Sequence, residues 1–458
     1  MSLFMRAKLD GRQLGKALAI GVVCTALALP SAAADPGAPD AVTCTSSGWV
    51  GAWTAPPGGA QHFLQVDAQH PAIVTDSYPL TVPRPIADQT LRMVVVPETA
   101  GPAVRIHLSN RYGGSPVTFR DVHVGHQLSG ASLQPGSNTP LTFAGAGDVT
   151  VPAGQDVVSD PVALPVQPFD RLAVSFHVPG GLDLAPTYHW QTNHTSYLSP
   201  PLSGDHAAEE AGGAFTDDTN SVYYVDGVDV FAPAGTSAVV VLGDSFTNSP
   251  ATTFDADRRW PDALTRRLQA TAGGDRLSVV NAALSFNFTG IGHPNLVGPD
   301  FIGIGGPSGL ERFDADIAAV PGVRAVVLML GMNDLAWGVS PADLTAAYRQ
   351  IADKAHRSGL KIIGVTLTPS EGAQIPATTY GLPTTLANRR QVNEFIRQSG
   401  IFDSVLDFDA AVADPAHPDR WAHGLSPSND NVHPNDQGSQ READSIDVPA
   451  LLGVAGCR

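Results

Sequence analysis

Ala238-Val239-Val240-Val241-Leu242-Gly243-Asp244-Ser245-Phe246 is the stretch that decides the fold. Five apolar residues run without a polar break, and a glycine and two polar residues end the run. An unbroken apolar strand is one buried on both faces, the habit of a parallel sheet between helices. Working outward, further apolar runs predict strands over 277–280, 324–330, 361–367 and 405–408. Helical periodicity lies between them, over 257–268, 310–319 and 386–398. Ser340-Pro341-Ala342-Asp343 is a helix start, with an N-cap serine, proline at the first helical position and a carboxylate two residues on. That helix is expected to run to about Arg357 and stop at Ser358-Gly359. Alternating strand and helix predicts an α/β domain over 237–452, its parallel sheet covered on both faces. Ligands of such sheets sit beyond the carboxyl ends of the strands.

The upstream half has a different grammar. From about 48 to 230, short β-type runs are broken by glycine and proline. Residues 104–108 and 172–178 alternate apolar and polar, the pattern of half-buried strands. Residues 45–232 are therefore expected to form a β-sandwich or jelly-roll-like domain. Phe231-Ala232-Pro233-Ala234-Gly235 reads as the linker.

The chain has 458 residues, with 43% hydrophobic and 16% charged, a globular balance. Arg6, Lys8, Arg12 and Lys16 precede a mostly apolar run over 17–29, and Ser31-Ala32-Ala33-Ala34 follows it. This is the layout of a secretory signal peptide, with cleavage expected before Asp35. An uncleaved anchor is the alternative, although the run is short of the ~20 residues that span a bilayer. No later stretch reads as a membrane helix. Removal of residues 1–34 leaves 23 basic and 43 acidic residues. Such a surface repels phosphate backbones and anionic headgroups, so neither nucleic acid nor stable membrane insertion is expected. Cys44 and Cys457 then remain at opposite ends of the chain. In an oxidising compartment two thiols pair, and domain termini often lie close, so a Cys44–Cys457 disulfide is expected.

Four segments carry chemistry, three of them just after a predicted strand. Ser245 is held at the sheet's carboxyl edge, where a base can take its proton and make it a nucleophile. Asp244 reads as a brace for that turn. Asn281-Ala282-Ala283 can offer a backbone N–H to an oxyanion. Gly331-Met332-Asn333-Asp334 places a carboxamide where it can donate to the same charge. Asp430 and His433, three residues apart, can share one side of a turn, with the carboxylate holding one imidazole nitrogen while the other faces a serine. Each segment alone also has a plain reading, as a turn serine, a polar loop, a turn cap or a surface histidine. His417 and His423 are read as surface residues.

In this order the four segments resemble those of the GDSL/SGNH hydrolase family. Gly243-Asp244-Ser245 resembles its first block, Gly331-Met332-Asn333-Asp334 its Gly-x-Asn-Asp block, and Asp430-x-x-His433-Pro434-Asn435 its last. The resemblance implies a three-layer α/β/α domain in which Ser245 is nucleophile, His433 base and Asp430 its orienter. The oxyanion donors it implies are Ser245 N–H, Ala283 N–H and the Asn333 side chain. The sequence departs from the pattern at Phe246, where leucine is usual, and at Ala283, where glycine is usual. Ala283 can serve unless its loop requires positive φ. Trp49-Val50-Gly51-Ala52-Trp53 and Leu108-Ser109-Asn110-Arg111-Tyr112-Gly113 resemble the β-rich domain of secreted bacterial members.

The expected function is a secreted serine carboxylic ester hydrolase working through an acyl-enzyme, on short acyl esters of a polysaccharide or related small molecule. A lipase or aryl esterase of the same fold is the alternative. An acyltransferase and a non-catalytic carbohydrate-binding protein are the rivals. No cofactor or metal is required, and no cluster has metal-ligand spacing. Oligomeric state is left open. Tyr188-His189-Trp190-Gln191-Thr192-Asn193-His194 is read as packing, with a sugar platform as the alternative. Gly303-Ile304-Gly305-Gly306 lacks a phosphate-loop lysine and is read as a mobile loop near the site.

Overall fold

The computed structural model describes residues 44–59, 86–180, 186–290, 306–375 and 378–457. The signal peptide read over 1–34 and Gly303, Ile304 and Gly305 lie outside them.

The upstream runs form antiparallel strands: β1 Gly48–Thr54, β2 Gln89–Val95, β3 Val104–Ser109, β4 Val117–Ser129, β5 Asp156–Val158, β6 Leu172–Val178, β7 Ser196–Leu198, β8 Asp217–Thr219 and β9 Val225–Ala232. One sheet has the order β1-β9-β3-β5, and a second has β8-β7-β2-β6-β4. Side chains of both sheets share one apolar core, among them Ile106 and Val228 from the first and Met93 and Phe176 from the second. This part is β-rich, as the short runs require.

β3 keeps the alternation read from its sequence. β6 does not: all seven of its residues are buried. The reason is the segment over 205–215, which lies over its polar face: Arg92 beside Ser175 donates to Glu209 O and sits 4.1 Å from the Phe215 ring centroid, and Asp205 lies 3.9 Å from His177 Nδ1. Ser175 there accepts from Arg92 Nε at 2.8 Å, and His177 Nε2 lies 3.0 Å from Asp88 Oδ1. Burial lowers the Arg92 pKa to about 10.

The downstream part follows the strand–helix alternation. Its main elements are β10 Ser237–Gly243, α1 Ser245–Asn248, α2 Trp260–Gln269, β11 Leu277–Asn281, α3 Gly309–Phe313, β12 Val323–Met329, α4 Met332–Ala336, α5 Pro341–Arg357, β13 Lys361–Val365, α6 Pro383–Gln398, β14 Ser404–Leu406, α7 Asp436–Asp444 and α8 Val448–Ala455. The five strands are parallel in the order β11-β10-β12-β13-β14. Every residue of β10 is buried, so the sheet is covered on both faces there. The order turns about β10, whose next strand in sequence lies on one side and the remaining three on the other. The carboxyl end of β10 is therefore the switch point where such sheets open a crevice.

Boundaries shift where local chemistry overrides periodicity. The helix expected from 257 starts at Trp260, because Asp262 reaches back to the Arg259 N–H at 2.8 Å and fixes the cap there. The helix expected over 310–319 is α-helical only to Phe313 and widens into a π-type turn over Asp314–Ala318. The last strand ends at Leu406, since Asp407 caps a short helix by accepting from Ala410 N–H. Ser340 caps α5 as its sequence requires, accepting from Asp343 N–H.

All described residues lie in one compact unit. β1 joins the two parts: Gly51 N–H donates to Pro321 O and Ser278 Oγ donates to Gly51 O, both at 2.8 Å. A Cβ on Gly51 would meet Val320 Cγ1 at 2.4 Å, so glycine is needed for this approach. Cys44 and Cys457 form a disulfide across a sequence separation of 413, with Cα atoms 5.4 Å apart. Among the described residues no helix is long and apolar enough to cross a membrane.

α7 packs against α2 and carries Glu442, which is fully buried with neither carboxylate oxygen hydrogen-bonded among the described residues. Burial raises its pKa well above the ordinary glutamate value. Between the unfolded and folded pKa values the native state holds more protons than the unfolded chain, so stability falls as pH rises through that window. Glu442→Met is expected to remove that fall and to raise stability at pH 8 by about 1–3 kcal/mol. Urea denaturation at pH 5 and pH 8 checks it; an unchanged pH slope would contradict it.

Candidate active site

Gly243 ends β10, and Asp244 caps the four-residue α1 by accepting from Phe246 N–H at 2.9 Å. A Cβ at Gly243 would lie 2.3 Å from Thr247 Oγ1, so only glycine allows the turn to close this tightly. The chain thus delivers Ser245 at the switch point, with 5% of its surface exposed.

The other half of the constellation arrives from 188 residues downstream. His433 Nε2 lies 2.9 Å from Ser245 Oγ. His433 Nδ1 lies 2.8 Å from Asp430 Oδ2. The second oxygen of Asp430 accepts the Val432 and His433 N–H groups at 2.8 and 3.0 Å. Residue spacing of three is what allows one carboxylate to hold both the ring and the backbone of its histidine. Asn435 then caps α7, accepting from Gln437 and Gly438 N–H, which anchors this loop to a helix. The Phe246 ring lies against the imidazole, with centroids 5.3 Å apart. The structure therefore brings Ser245, His433 and Asp430 into one hydrogen-bonded line. In that line the imidazole can accept the serine proton while the carboxylate holds the opposite N–H.

Asn333 sits in α4, immediately beyond β12, and is fully buried. Its Nδ2 donates to Asn287 O at 2.8 Å and to Asp244 Oδ2 at 3.2 Å. Gly331 before it has φ +128°, and a Cβ there would meet Tyr348 Oη at 2.3 Å. Burial raises the Asp244 pKa well above the carboxylate range, and it raises Asp334 to about 6.

Ala283 N–H donates to Asn281 Oδ1 at 3.0 Å within its own loop. The positive φ in that loop falls on Phe286, at +63°, and not on Ala283. Left-handed backbone at a phenylalanine costs ~1–2 kcal/mol, and strain of this kind gathers at functional loops.

Two residues that the sequence left unmarked hold this geometry. The guanidinium of Arg312, on α3, donates to Ala282 O at 2.7 Å, Gly243 O at 3.1 Å and Asn287 Oδ1 at 3.0 Å. Tyr380, in the segment between β13 and α6, donates its hydroxyl to Asn333 Oδ1. Neither stands in a motif, and only the fold brings them here. Arg111, in the upstream motif, reaches the same cluster by donating to Asp316 Oδ1 at 2.7 Å.

His417 and His423 are exposed, as read. Tyr188, His189, Trp190 and His194 are buried. His189 Nδ1 lies 2.8 Å from Pro56 O, and burial lowers its pKa to about 4. His194 Nε2 lies 2.6 Å from Asp257 Oδ1. The Trp190 ring stacks on Phe286 at 5.9 Å. These residues pack the junction between the two parts.

Residues 241–441 match the model of the GDSL-like Lipase/Acylhydrolase family. That part of the chain is a GDSL-like domain. Comparison of the chain with curated proteins gives no match. Among solved structures, it is similar to a G-D-S-L family protein of Desulfitobacterium hafniense, at 22% identity over 46% of this chain and 97% of the other, with TM-score 0.33. It is also similar to an aryl esterase of M. smegmatis, at 14% identity over 48% and 100%, TM-score 0.37. A carbohydrate acetylesterase of Sinorhizobium meliloti aligns at 17% identity over 47% and 100%, TM-score 0.36.

Proposed function

We propose that the protein is a secreted carboxylic ester hydrolase whose GDSL-like domain works through Ser245, His433 and Asp430. The observation that carries the reading is the 2.9 Å contact between Ser245 Oγ and His433 Nε2, continued at 2.8 Å to Asp430. His433 takes the serine proton as Oγ attacks the ester carbonyl. The carbonyl π pair moves to oxygen, where Ser245 N–H donates to it, joined by the Asn333 Nδ2 hydrogen that leaves Asp244 Oδ2 and by Ala283 N–H on leaving Asn281 Oδ1. Collapse breaks the bond to the alcohol oxygen, which takes the proton back from His433. Water then repeats the sequence on the acyl-serine and releases the acid.

The substrates proposed are short acyl esters of a polysaccharide or a related small molecule, with lipid and aryl esters as the alternative. The upstream residues 45–232 are read as a β-sandwich domain and residues 237–452 as the catalytic one. Export is supported by the Cys44–Cys457 disulfide, since such bonds persist in oxidising compartments.

A fluorophosphonate probe, followed by peptide mapping, tests the chemistry. One equivalent of label is expected on the peptide that contains Ser245. No label, or label elsewhere, excludes the mechanism and favours a non-catalytic binding protein. A panel of p-nitrophenyl esters and acetylated sugars then ranks acyl length. Added sugar or alcohol that diverts the acyl group from free acid at low acceptor concentration would favour transfer over hydrolysis.

A further inference from the structure

The Asn333 carboxamide is clamped at both ends. Asn287 O, a carbonyl that only accepts, lies 2.8 Å from Nδ2 and fixes which end of the amide carries the protons. Oδ1 therefore faces the Tyr380 hydroxyl, and that hydroxyl must donate. Tyr380 is 2% exposed. Its ring is wedged edge-on between Phe246, at 6.3 Å, and Trp337, at 6.0 Å, which stand at the nucleophile helix and at the end of α4. Thr379 Oγ1 donates to Ala336 O at 2.6 Å and ties the segment to α4. Burial beside Asp244, Asp430 and Asp334 holds the phenol pKa well above its ordinary value, so the proton stays on oxygen.

We propose that Tyr380 is a positioning residue for ester hydrolysis: by holding Asn333 Oδ1 it fixes the direction in which the carboxamide offers its N–H to the oxyanion formed at Ser245. The inference rests on the hydrolase reading above. An amide held only by Asn287 O and Asp244 rocks about its Cβ–Cγ bond, and the donor loses alignment only when charge appears on the substrate oxygen. The loss therefore falls on kcat and leaves ground-state binding nearly untouched.

The test is a double-mutant cycle on p-nitrophenyl acetate, with wild type, Tyr380→Phe, Asn333→Ala and the double variant. Tyr380→Phe is expected to lower kcat by about 10–100-fold, with KM changed by less than about threefold. The acid limb of the pH profile is expected to stay in place, because His433 and Asp430 are untouched. In the Asn333→Ala background the same substitution is expected to change kcat by less than about twofold, because its partner is gone. An equal fall in both backgrounds assigns Tyr380 a general structural role and overturns the proposal, as does no fall in the wild-type background. Should Tyr380→Phe not fold, Thr379→Val loosens the same segment and must display the same dependence on background. A wild type that hydrolyses no ester and takes no label at Ser245 defeats the hydrolase reading and this inference together. An active wild type labelled at Ser245, without the background dependence, defeats this inference alone.

Discussion

Asp430→Asn is expected to lower kcat by about 10³–10⁴-fold with KM nearly unchanged. The carboxylate has two duties, one for each oxygen. Oδ1 accepts the Val432 and His433 N–H groups, and the amide oxygen of asparagine can take over that duty. Oδ2 accepts from His433 Nδ1, and there the substituted side chain presents an NH₂. Two donors cannot face each other, so the imidazole moves its proton to Nε2. The nitrogen 2.9 Å from Ser245 Oγ then has no lone pair to receive the serine proton. The loop keeps its backbone partners, so the melting temperature is expected to move by only a few degrees. Steady-state kinetics and a thermal melt on the same preparation check both halves. A variant that keeps more than a tenth of the wild-type kcat would mean that Asp430 does not set the tautomer.

The sequence makes this site partly legible because part of it is local. Asp430 and His433 lie in one turn, so their spacing alone places ring and carboxylate side by side. Ser245 and Asn333 follow apolar strands, and an unbroken apolar run is readable without any tertiary knowledge. The parallel sheet is legible for the same reason. The covered polar face of β6 is not, since strand neighbours are non-local: alternation of residue type cannot say whether a second layer lies over Ser175 and His177. Tyr380 and Arg312 escape notice because their role is a single long-range hydrogen-bonding contact set. No periodicity around Thr379-Tyr380-Gly381 announces a phenol aimed at a carboxamide 47 residues earlier. At Ala283 the sequence does not announce that the asparagine side chain two residues back accepts its N–H.

Arg312→Met is expected to be the most damaging substitution for the fold itself, at about 3–5 kcal/mol. Arg312 is 3% exposed and ties together three pieces of backbone that the sheet alone leaves apart. Gly243 O is the last carbonyl of β10, Ala282 O begins the loop after β11, and Asn287 Oδ1 belongs to the residue whose carbonyl holds Asn333. Methionine fills much of the volume but leaves these acceptors buried without that donor. It also leaves Asp316, 4% exposed at its side chain and 3.5 Å from the guanidinium, with less positive charge about it. Asp316 keeps Arg111 from the β-rich part at 2.7 Å. Arg111→Met is therefore expected to cost less, since the buried guanidinium still faces the same carboxylate. Urea midpoints for the two variants, converted with a shared m-value, give the ordering. If Arg312→Met unfolds no earlier than Arg111→Met, the carbonyl clamp is not what holds the loop after β11 against β10. The same loop presents Asn287 O to Asn333, so the folded fraction of Arg312→Met is expected to turn over ester more slowly than its concentration accounts for. Arg111, through Asp316, brings the β-rich part into the same set of contacts.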